Sequence, residues 1–389
     1  MKKRFIKESI LVCLILSFPF YHVKAQQFEN RLPEWALGGF LRPDGVNPII
    51  STDTQSKFFC PMVGKSVYWE ARDTFNPAAV VKGNKIVVLY RAEDASGEGI
   101  GSRISRLGYA VSSDGLNFRR KQRPVFFPAK DDQEVYEWPG GCEDPRLAVT
   151  EGGLYVMLYT QWNRKCPRLA VATSKDLKTW KKYGPVFGKA CDGRFHDLKC
   201  KSGAILTKVV NGQQVITRIN GKYWMYWGEH RVYAATSEDL IEWTPLLDDK
   251  GELKTLFAPR QGYFDSALTE CGPPAVITEK GILLLYNGKN QKHDKGGDSR
   301  FTEGVYAAGQ ALFDINHPDK LLFRLDVPFF RPMEKFECSG QYKDGTVFVE
   351  GLVFFKNKWF LYYGCADSCV GVAVYNPAMS GPGDPVPAK

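Results

Sequence analysis

The sequence repeats one pattern of hydrophobic and polar positions five times. Each copy has an apolar run, a short turn rich in Gly, Asn and Lys, and a second apolar run that closes in aromatic residues. The apolar runs have the length of β-strands, and such turns are typical of β-hairpins. The five copies are AAVVKGNKIVVLYR, PRLAVTEGGLYVMLYT, VITRINGKYWMYWGE, PPAVITEKGILLLYNG and GLVFFKNKWFLYYGC.

A second pattern follows the first three copies and consists of an apolar run, a Ser-x-Asp turn and an aromatic residue. It reads LGYAVSSDGLNFRR, LAVATSKDLKTWKK and VYAATSEDLIEWTP, with a degraded fourth copy in VYAAGQALFDINHP. Helical periodicity is almost absent, and strands that repeat radially form β-propellers. The sequence therefore predicts an all-β fold, specifically a five-bladed β-propeller, with two stacked β domains as the alternative.

The first 25 residues have the pattern of a cleaved signal peptide. MKKRFIK is basic, ILVCLILSFPF is an apolar run too short to span a bilayer comfortably, and the small-residue site VKA ends at Ala25. Pro19 and the short run disfavour an uncleaved anchor, and Val12 disfavours lipidation of Cys13. The sequence therefore predicts export to the periplasm or cell surface of a bacterium, with residues 26–389 forming a single domain.

Composition argues against several classes of protein. The formal net charge is +9, and no run of five or more Lys or Arg occurs, so binding to nucleic acid has little support. The ten cysteines contain no CxxC pair and the five histidines are scattered, so the sequence predicts no metal site and no cofactor. No later stretch is long and apolar enough to cross a membrane. Disulfide pairing and oligomeric state stay open.

Polar residues recur beside the apolar strands of every repeat, where a central pocket would lie. Clustered carboxylates without a metal cluster or a Ser/His pair favour cleavage of a glycosidic bond. In that reaction one carboxyl protonates the leaving oxygen and a second group attacks or activates water. Nearby aromatic residues, such as Trp162, could stack on sugar rings. The candidates are Asn76, Arg91, Glu93, Asp94 and Arg103, then Glu143, Asp144 and Arg146, then Lys201, Glu229, His230 and Arg231, then Asp265, Glu270, Tyr286 and Asn287, and finally Glu350 and Asp367.

The order of these motifs resembles glycoside hydrolase family 130. FNPAAV, LYRAED, CEDPR, KSGAIL, GEH, ECGPP, YNG and YYGCADS follow one another between about Trp69 and Asn376. No single motif is specific, but their combination in this order is. The resemblance implies a five-bladed propeller that acts on β-mannosides.

The same resemblance implies roles for individual residues. Asp144 in CEDPR matches the family's proton donor, which works through the 3-hydroxyl of the mannose. Pro145 would stiffen this loop, and Glu143 and Arg146 would hold its surroundings. The implied sugar-binding positions are Asn76, Arg91, Asp94, Asp265 and Asp367.

Members of the family divide into phosphorylases, which hold phosphate with Arg, Lys and His, and hydrolases, which have glutamates near the phosphate position. This chain has Glu229 and Glu270 there. Like charges about 4 Å apart cost on the order of 4 kcal/mol at an effective dielectric near 20, which disfavours a phosphate dianion. Lys201, His230 and Arg231 are basic, however, and keep a phosphate site open. The signal peptide favours hydrolysis, because a sugar phosphate made outside the cytoplasm would need its own importer.

These considerations predict an exo-acting, inverting β-mannosidase that releases mannose from β-1,2-linked mannan oligosaccharides. Asp144 is the predicted acid, and Glu229 and Glu270 position and deprotonate the attacking water. The alternatives are an inverting phosphorylase that gives mannose 1-phosphate, a β-1,4 linkage, and a non-catalytic carbohydrate-binding propeller. The last would not need three clustered acids.

Overall fold

The computed structural model describes residues 32–379, so the predicted signal peptide lies outside the described residues. Within this range the chain forms 24 strands, one α-helix and three 3₁₀ helices, which confirms the all-β prediction. None of these helices is long and apolar enough to span a bilayer. The helices are α1 (Glu134–Glu137) and the 3₁₀ helices His293–Lys295, Lys335–Glu337 and Pro377–Met379.

A short hairpin precedes the first two groups of antiparallel strands. The hairpin consists of β1 (Lys57–Cys60) and β2 (Lys65–Tyr68). Group 1 contains β3 (Asp73–Lys82), β4 (Lys85–Glu93), β5 (Ser105–Ser112) and β6 (Arg119–Arg120). Group 2 contains β7 (Gly141–Val149), β8 (Tyr155–Trp162), β9 (Pro167–Ser174) and β10 (Lys181–Pro185).

Three further groups complete the order of strands along the chain. Group 3 contains β11 (Gly203–Val210), β12 (Gln213–Ile216), β13 (Arg218–Ile219), β14 (Lys222–Trp227), β15 (Tyr233–Ser237) and β16 (Thr244–Pro245). Group 4 contains β17 (Leu268–Cys271), β18 (Ala275–Thr278), β19 (Gly281–Lys289), β20 (Tyr306–Phe313) and β21 (Leu321–Arg324). Group 5 contains β22 (Val347–Phe355), β23 (Lys358–Cys365) and β24 (Cys369–Tyr375).

The third group differs from the repeat pattern in the sequence. The predicted hairpin VITRINGKYWMYWGE spans β12, β13 and β14, but the first strand of the group is the earlier β11. β11 pairs with β14 through its first half and with β12 through its second half. An additional small hairpin is therefore inserted into a unit that otherwise follows the pattern.

Five apolar cores join the groups into a closed ring. Separate clusters of buried side chains lie between groups 1 and 2, 2 and 3, 3 and 4, 4 and 5, and 5 and 1. The N-terminal segment completes group 5, because Leu41 and Ile50 pair antiparallel with Val374 and Val370 of β24. This ring is the arrangement expected of a five-bladed propeller, which stays a prediction. Near its centre, β3 contacts both β7 and β22.

Candidate active site

Local irregularities in three of the central strands shape the site. Strand pairing slips at Asn76 in β3, at Asp144 in β7 and at Glu350 in β22. Asn76 and Asp144 have left-handed backbones, with φ of 45° and 47°. A bulge of this kind redirects a side chain out of the regular strand alternation. Each of the three residues precedes a Pro or Gly, the residue types that mark such breaks inside strands.

The central strands surround a cavity of about 250 Å³. Side chains from every group reach its wall, together with residues from the loops that follow β4 and precede β22. Pockets that combine aromatic walls with a few polar groups are typical binding sites for small molecules. The lining residues are Phe75, Asn76, Arg91, Glu93, Ile100, Gly101, Glu143, Asp144, Thr160, Trp162, Pro167, Lys201, Glu229, Glu270, Tyr306, Gln341, Tyr342, Thr346, Phe348 and Asp367.

Asp144 is held firmly on one wall of this cavity. Its Oδ1 accepts hydrogen bonds from Asn76 Nδ2 and Arg91 Nη1, both at 2.9 Å. Its Oδ2 has no hydrogen bond to another described residue. The side chain is 3% exposed. One carboxylate oxygen therefore fixes the orientation of the group, and the other is available to a bound molecule.

Arg91 organises a cluster of carboxylates around Asp144. Its Nη2 donates to Glu93 Oε1 at 2.7 Å and to Glu143 Oε1 at 2.8 Å, and its Nε donates to Ser105 Oγ at 3.0 Å. The planar guanidinium suits this task, because its donors point in fixed directions. The guanidinium therefore compensates part of the negative charge that the carboxylates bring together.

The carboxyls of Glu143 and Asp144 differ in their affinity for a proton. Burial raises the pKa of Glu143 to about 7. Burial acts in the same direction on Asp144, but Arg91 and Lys201 outweigh it and lower the pKa of Asp144 below its usual range. Because both carboxyls contact Arg91, they titrate as a pair that keeps one proton up to about pH 7. The structure assigns that proton to Glu143 rather than to the predicted donor.

A second charged cluster lies on the same cavity and comes from groups 3 and 4. Lys201 Nζ is 3.4 Å from Glu229 Oε1 and 3.9 Å from Glu270 Oε1. The Ser202 hydroxyl donates to Glu270 Oε1. Burial raises the pKa of Glu270 to about 7, with Lys201 acting in the opposite direction. Burial would lower the pKa of Lys201, but Glu270 and Glu229 outweigh it and raise the value.

Asp367 closes the polar part of the cavity from a tight turn between β23 and β24. It has a left-handed backbone with φ of 50°, and its carbonyl oxygen accepts a hydrogen bond from Gln341 Nε2 at 3.0 Å. Burial raises the pKa of its carboxyl to about 7. The turn thus presents a further acid that retains its proton near neutral pH.

The sequence analysis missed an aromatic wall. Tyr306 packs edge-on against Tyr342 and Phe348, with ring centroids 5.6 Å and 6.0 Å apart. Trp162, which the sequence analysis did name, also lines the cavity, and its Nε1 donates to Gly101 O at 2.9 Å. Tyr306 is the second residue of the degraded fourth copy of the second pattern, and this copy was the available signal. Tyr342 and Gln341 lie in a loop that carries no repeat pattern.

A family model described as beta-1,4-mannooligosaccharide phosphorylase matches residues 55–378 of this sequence. The chain belongs to glycoside hydrolase family 130. Two family relatives come from Thermoanaerobacter sp. strain X514. Its 1,2-beta-oligomannan phosphorylase is 31% identical over 310 residues, covering 79% of this chain and 90% of the relative. Its beta-1,2-mannobiose phosphorylase is 30% identical over 316 residues, covering 79% and 91%.

A solved structure of the family is more similar still. It is 64% identical, has a TM-score of 0.90, and covers 92% of this chain and 99% of that chain. Its description reads: the GH130 family of mannoside phosphorylases contains glycoside hydrolases that target beta-1,2 mannosidic linkages in Candida mannan. Family 130 thus includes relatives of this chain with phosphorolytic and with hydrolytic descriptions.

The cavity of this family 130 protein brings together nine of the polar residues named from the sequence. They are Asn76, Arg91, Glu93, Glu143, Asp144, Lys201, Glu229, Glu270 and Asp367.

The other candidates lie outside the cavity lining. Most of them have buried partners. Asp94 pairs with Arg106, and Arg103 pairs with Asp73 and Glu93. Asp265 pairs with Arg260 and Arg324 and accepts a hydrogen bond from the Tyr286 hydroxyl. Arg146 pairs with Glu350 beneath the cavity. His230 and Arg231 are exposed on the loop after Glu229.

Proposed function

We propose that this protein is an exported, inverting β-mannosidase that hydrolyses β-1,2-linked mannosides, built on a five-bladed propeller. The observation that carries the proposal is the Glu229–Lys201–Glu270 cluster on the cavity that holds Asp144. An attacking phosphate would meet two carboxylates here, whereas an attacking water needs one of them as a base. The solved structure described with glycoside hydrolases and β-1,2 linkages supports the same reaction and linkage.

In the proposed mechanism the two clusters have separate tasks. Asp144, oriented through Oδ1 by Asn76 and Arg91, delivers a proton to the leaving oxygen by way of the mannose 3-hydroxyl. The proton comes from the pair that Asp144 forms with Glu143, which retains one up to about pH 7. Glu270, whose pKa of about 7 suits a general base at neutral pH, accepts a proton from water on the opposite face of the sugar.

The other groups of the cavity position the sugar and the water. Lys201 holds Glu229 and Glu270 beside each other and limits their mutual repulsion. Ser202 fixes one oxygen of Glu270, so that the carboxylate faces the cavity in one orientation. Trp162 and the wall formed by Tyr306, Tyr342 and Phe348 offer apolar faces against which sugar rings can pack.

The second candidate function is an inverting β-mannoside phosphorylase that gives mannose 1-phosphate. The two relatives from Thermoanaerobacter are named as phosphorylases, and these names support this alternative better than hydrolysis. Lys201 supplies one cation on the cavity wall. His230 and Arg231 are exposed close by in sequence, but they do not line the cavity.

Incubating the purified protein with β-1,2-mannobiose, with and without phosphate, separates the two functions by NMR. Hydrolysis predicts free mannose at a rate that phosphate does not change, with the α-anomer appearing first because the configuration inverts. Mannose 1-phosphate that forms only in the presence of phosphate would instead establish the phosphorylase. β-1,4-Mannobiose serves as the control for linkage, and Asp144→Asn as the control for catalysis at this site.

Export is a separate part of the proposal and needs its own measurement. The basic segment, the short apolar run and the VKA site support cleavage after Ala25. Expression of the full chain in a bacterium, followed by fractionation and mass spectrometry, should give a periplasmic or surface protein that begins at Gln26. A cytoplasmic protein that retains residues 1–25 would contradict export.

A further inference from the structure

A buried ion pair lies directly beneath the two charged clusters of the cavity. Arg146 Nη1 is 2.9 Å from Glu350 Oε1, and both side chains are at most 1% exposed. Neither oxygen of Glu350 has an aligned hydrogen-bond donor among the described residues. Glu350 occupies the bulge of β22, as Asp144 occupies the bulge of β7. The pair lines no part of the cavity and is therefore not a substrate contact.

The rest of the Arg146 guanidinium bonds to backbone carbonyls of two different groups. Nη1 donates to Asp144 O at 2.9 Å in group 2. Nη2 donates to Cys271 O at 3.0 Å, and Nε donates to Gly272 O at 3.4 Å, both in group 4. Cys271 directly follows Glu270. One guanidinium thus bonds to the backbone at the proposed acid and at the residues next to the proposed base.

We propose that Arg146 and Glu350 are positioning residues that set the separation between the carboxyls of Asp144 and Glu270. The inference rests on the proposed function, because it gives these two carboxyls the roles of acid and base. A guanidinium presents its donors in one rigid plane, so its contacts fix the relative placement of β7 and the end of β17. Glu350 adds β22 to the same unit and compensates the charge of a cation that has almost no access to water.

The charged groups around Glu350 show why a change at Glu350 would affect both the cluster around Asp144 and the cluster around Glu270. Arg146 and Asp144 face it from β7, Glu270 faces it from β17, and Arg91 faces it from β4. Loss of the carboxylate leaves Arg146 as a buried cation without its partner. We expect the guanidinium to move toward the remaining carboxylates and to carry the backbone at Asp144 with it.

Two mild variants test this role. Glu350→Gln keeps the shape of the side chain and removes its charge. Arg146→Lys keeps the charge and removes the planar set of donors. Each should lower kcat on β-1,2-mannobiose roughly 10- to 100-fold, because small misplacements of reacting groups have effects of this size. KM should stay within about twofold, because the proposed sugar-binding residues Asn76, Arg91 and Asp367 are not changed in either variant.

A matched control separates positioning from general loss of stability. Glu337 is another fully buried carboxylate, paired with Arg42 at 2.7 Å, and it does not line the cavity. Glu337→Gln should lower the unfolding temperature and leave kcat and KM unchanged. The proposal is overturned if kcat of both Glu350→Gln and Arg146→Lys stays within about twofold of wild type, or if KM rises as much as kcat falls.

Crystal structures of the wild type and Glu350→Gln test the inference without any substrate. The separation of the Asp144 and Glu270 carboxyls should change by about 0.5 Å or more, the tolerance within which catalytic groups are normally held. An unchanged separation would overturn the positioning role even if the enzyme hydrolyses mannosides. If Glu350→Gln does not fold, the structure of Arg146→Lys gives the same measurement. Absence of wild-type turnover with and without phosphate would reject the proposed function instead.

Discussion

Glu270→Gln should become more stable relative to wild type as the pH rises, because it removes a carboxyl that the fold ionises only at a cost. Glu270 is 2% exposed, and burial raises its pKa from 4.5 to about 7. The folded pKa lies above the unfolded one. The stability associated with the protonated carboxyl is therefore fully present below about pH 4.5 and is lost as the pH rises through about 7. Glutamine does not titrate, so the variant avoids this loss.

The magnitude follows from the shift itself. The difference between 4.5 and about 7 corresponds to about 3 kcal/mol, since one pKa unit is worth 1.36 kcal/mol. Contacts that the neutral carboxyl makes, such as the hydrogen bond from Ser202, affect the variant equally at every pH. The change in unfolding free energy on mutation should therefore become more favourable by about 3 kcal/mol between about pH 4.5 and about pH 8.

Urea denaturation of both proteins at several pH values between about 4.5 and 8 measures this difference. Thr160→Val is a suitable control, because Thr160 is buried on the same cavity and does not titrate. Its effect on stability should be the same across the range. A Glu270→Gln effect that is equally constant with pH would refute the assignment of a raised pKa to Glu270.

Three further predictions concern catalysis. The pH profile of kcat/KM should be bell-shaped with both limbs near pH 7, because the proposed base Glu270 must lose a proton and the pair containing Glu143 must keep one, each with a pKa of about 7. A flat profile from about pH 5 to 9 would contradict this pairing. Asp144→Asn should lower kcat at least ~100-fold in the NMR assay, and retention of most activity would place the donor elsewhere. Trp162→Ala should raise KM several-fold with a smaller effect on kcat, measured by initial rates, because Trp162 lines the cavity and bonds to the Gly101 carbonyl.

The repeat pattern predicted most of the strands because each hairpin is encoded locally. In groups 1, 2, 4 and 5 the apolar runs coincide with paired strands, such as β3 with β4 and β22 with β23. The prediction of the first strand failed in group 3, because β11 changes its pairing partner halfway along its length, from β14 to β12. Both β11 and β12 contain β-branched apolar residues, and it is the tertiary pairing that distinguishes the first strand of the group from the inserted one.

The site was predictable where a local break in a strand marks it. Asn76 and Asp144 each precede a proline inside an apolar run, which is a signal that the sequence itself contains. Asp94 and Asp265, which lie at no such break, fall outside the cavity lining. Their partners Arg106 and Arg324 lie on other strands, and only the packed fold identifies these acids as members of buried ion pairs.

The balance of charge in the cavity bears directly on the choice between water and phosphate. Among its lining residues, Arg91 and Lys201 are cationic, whereas six carry carboxyl groups: Glu93, Glu143, Asp144, Glu229, Glu270 and Asp367. Burial raises the pKa of Glu143, Glu270 and Asp367 to about 7, so these three are partly protonated at neutral pH. Arg91 is already bonded to three of these carboxylates. A phosphate that binds through Lys201 would therefore compete with Glu229 and Glu270 for this cation, and each ionised carboxylate would repel it. An attacking water is neutral and is not repelled, and it gains a base from Glu229 or Glu270. The carboxylates that would hinder phosphorolysis are therefore the ones that hydrolysis uses.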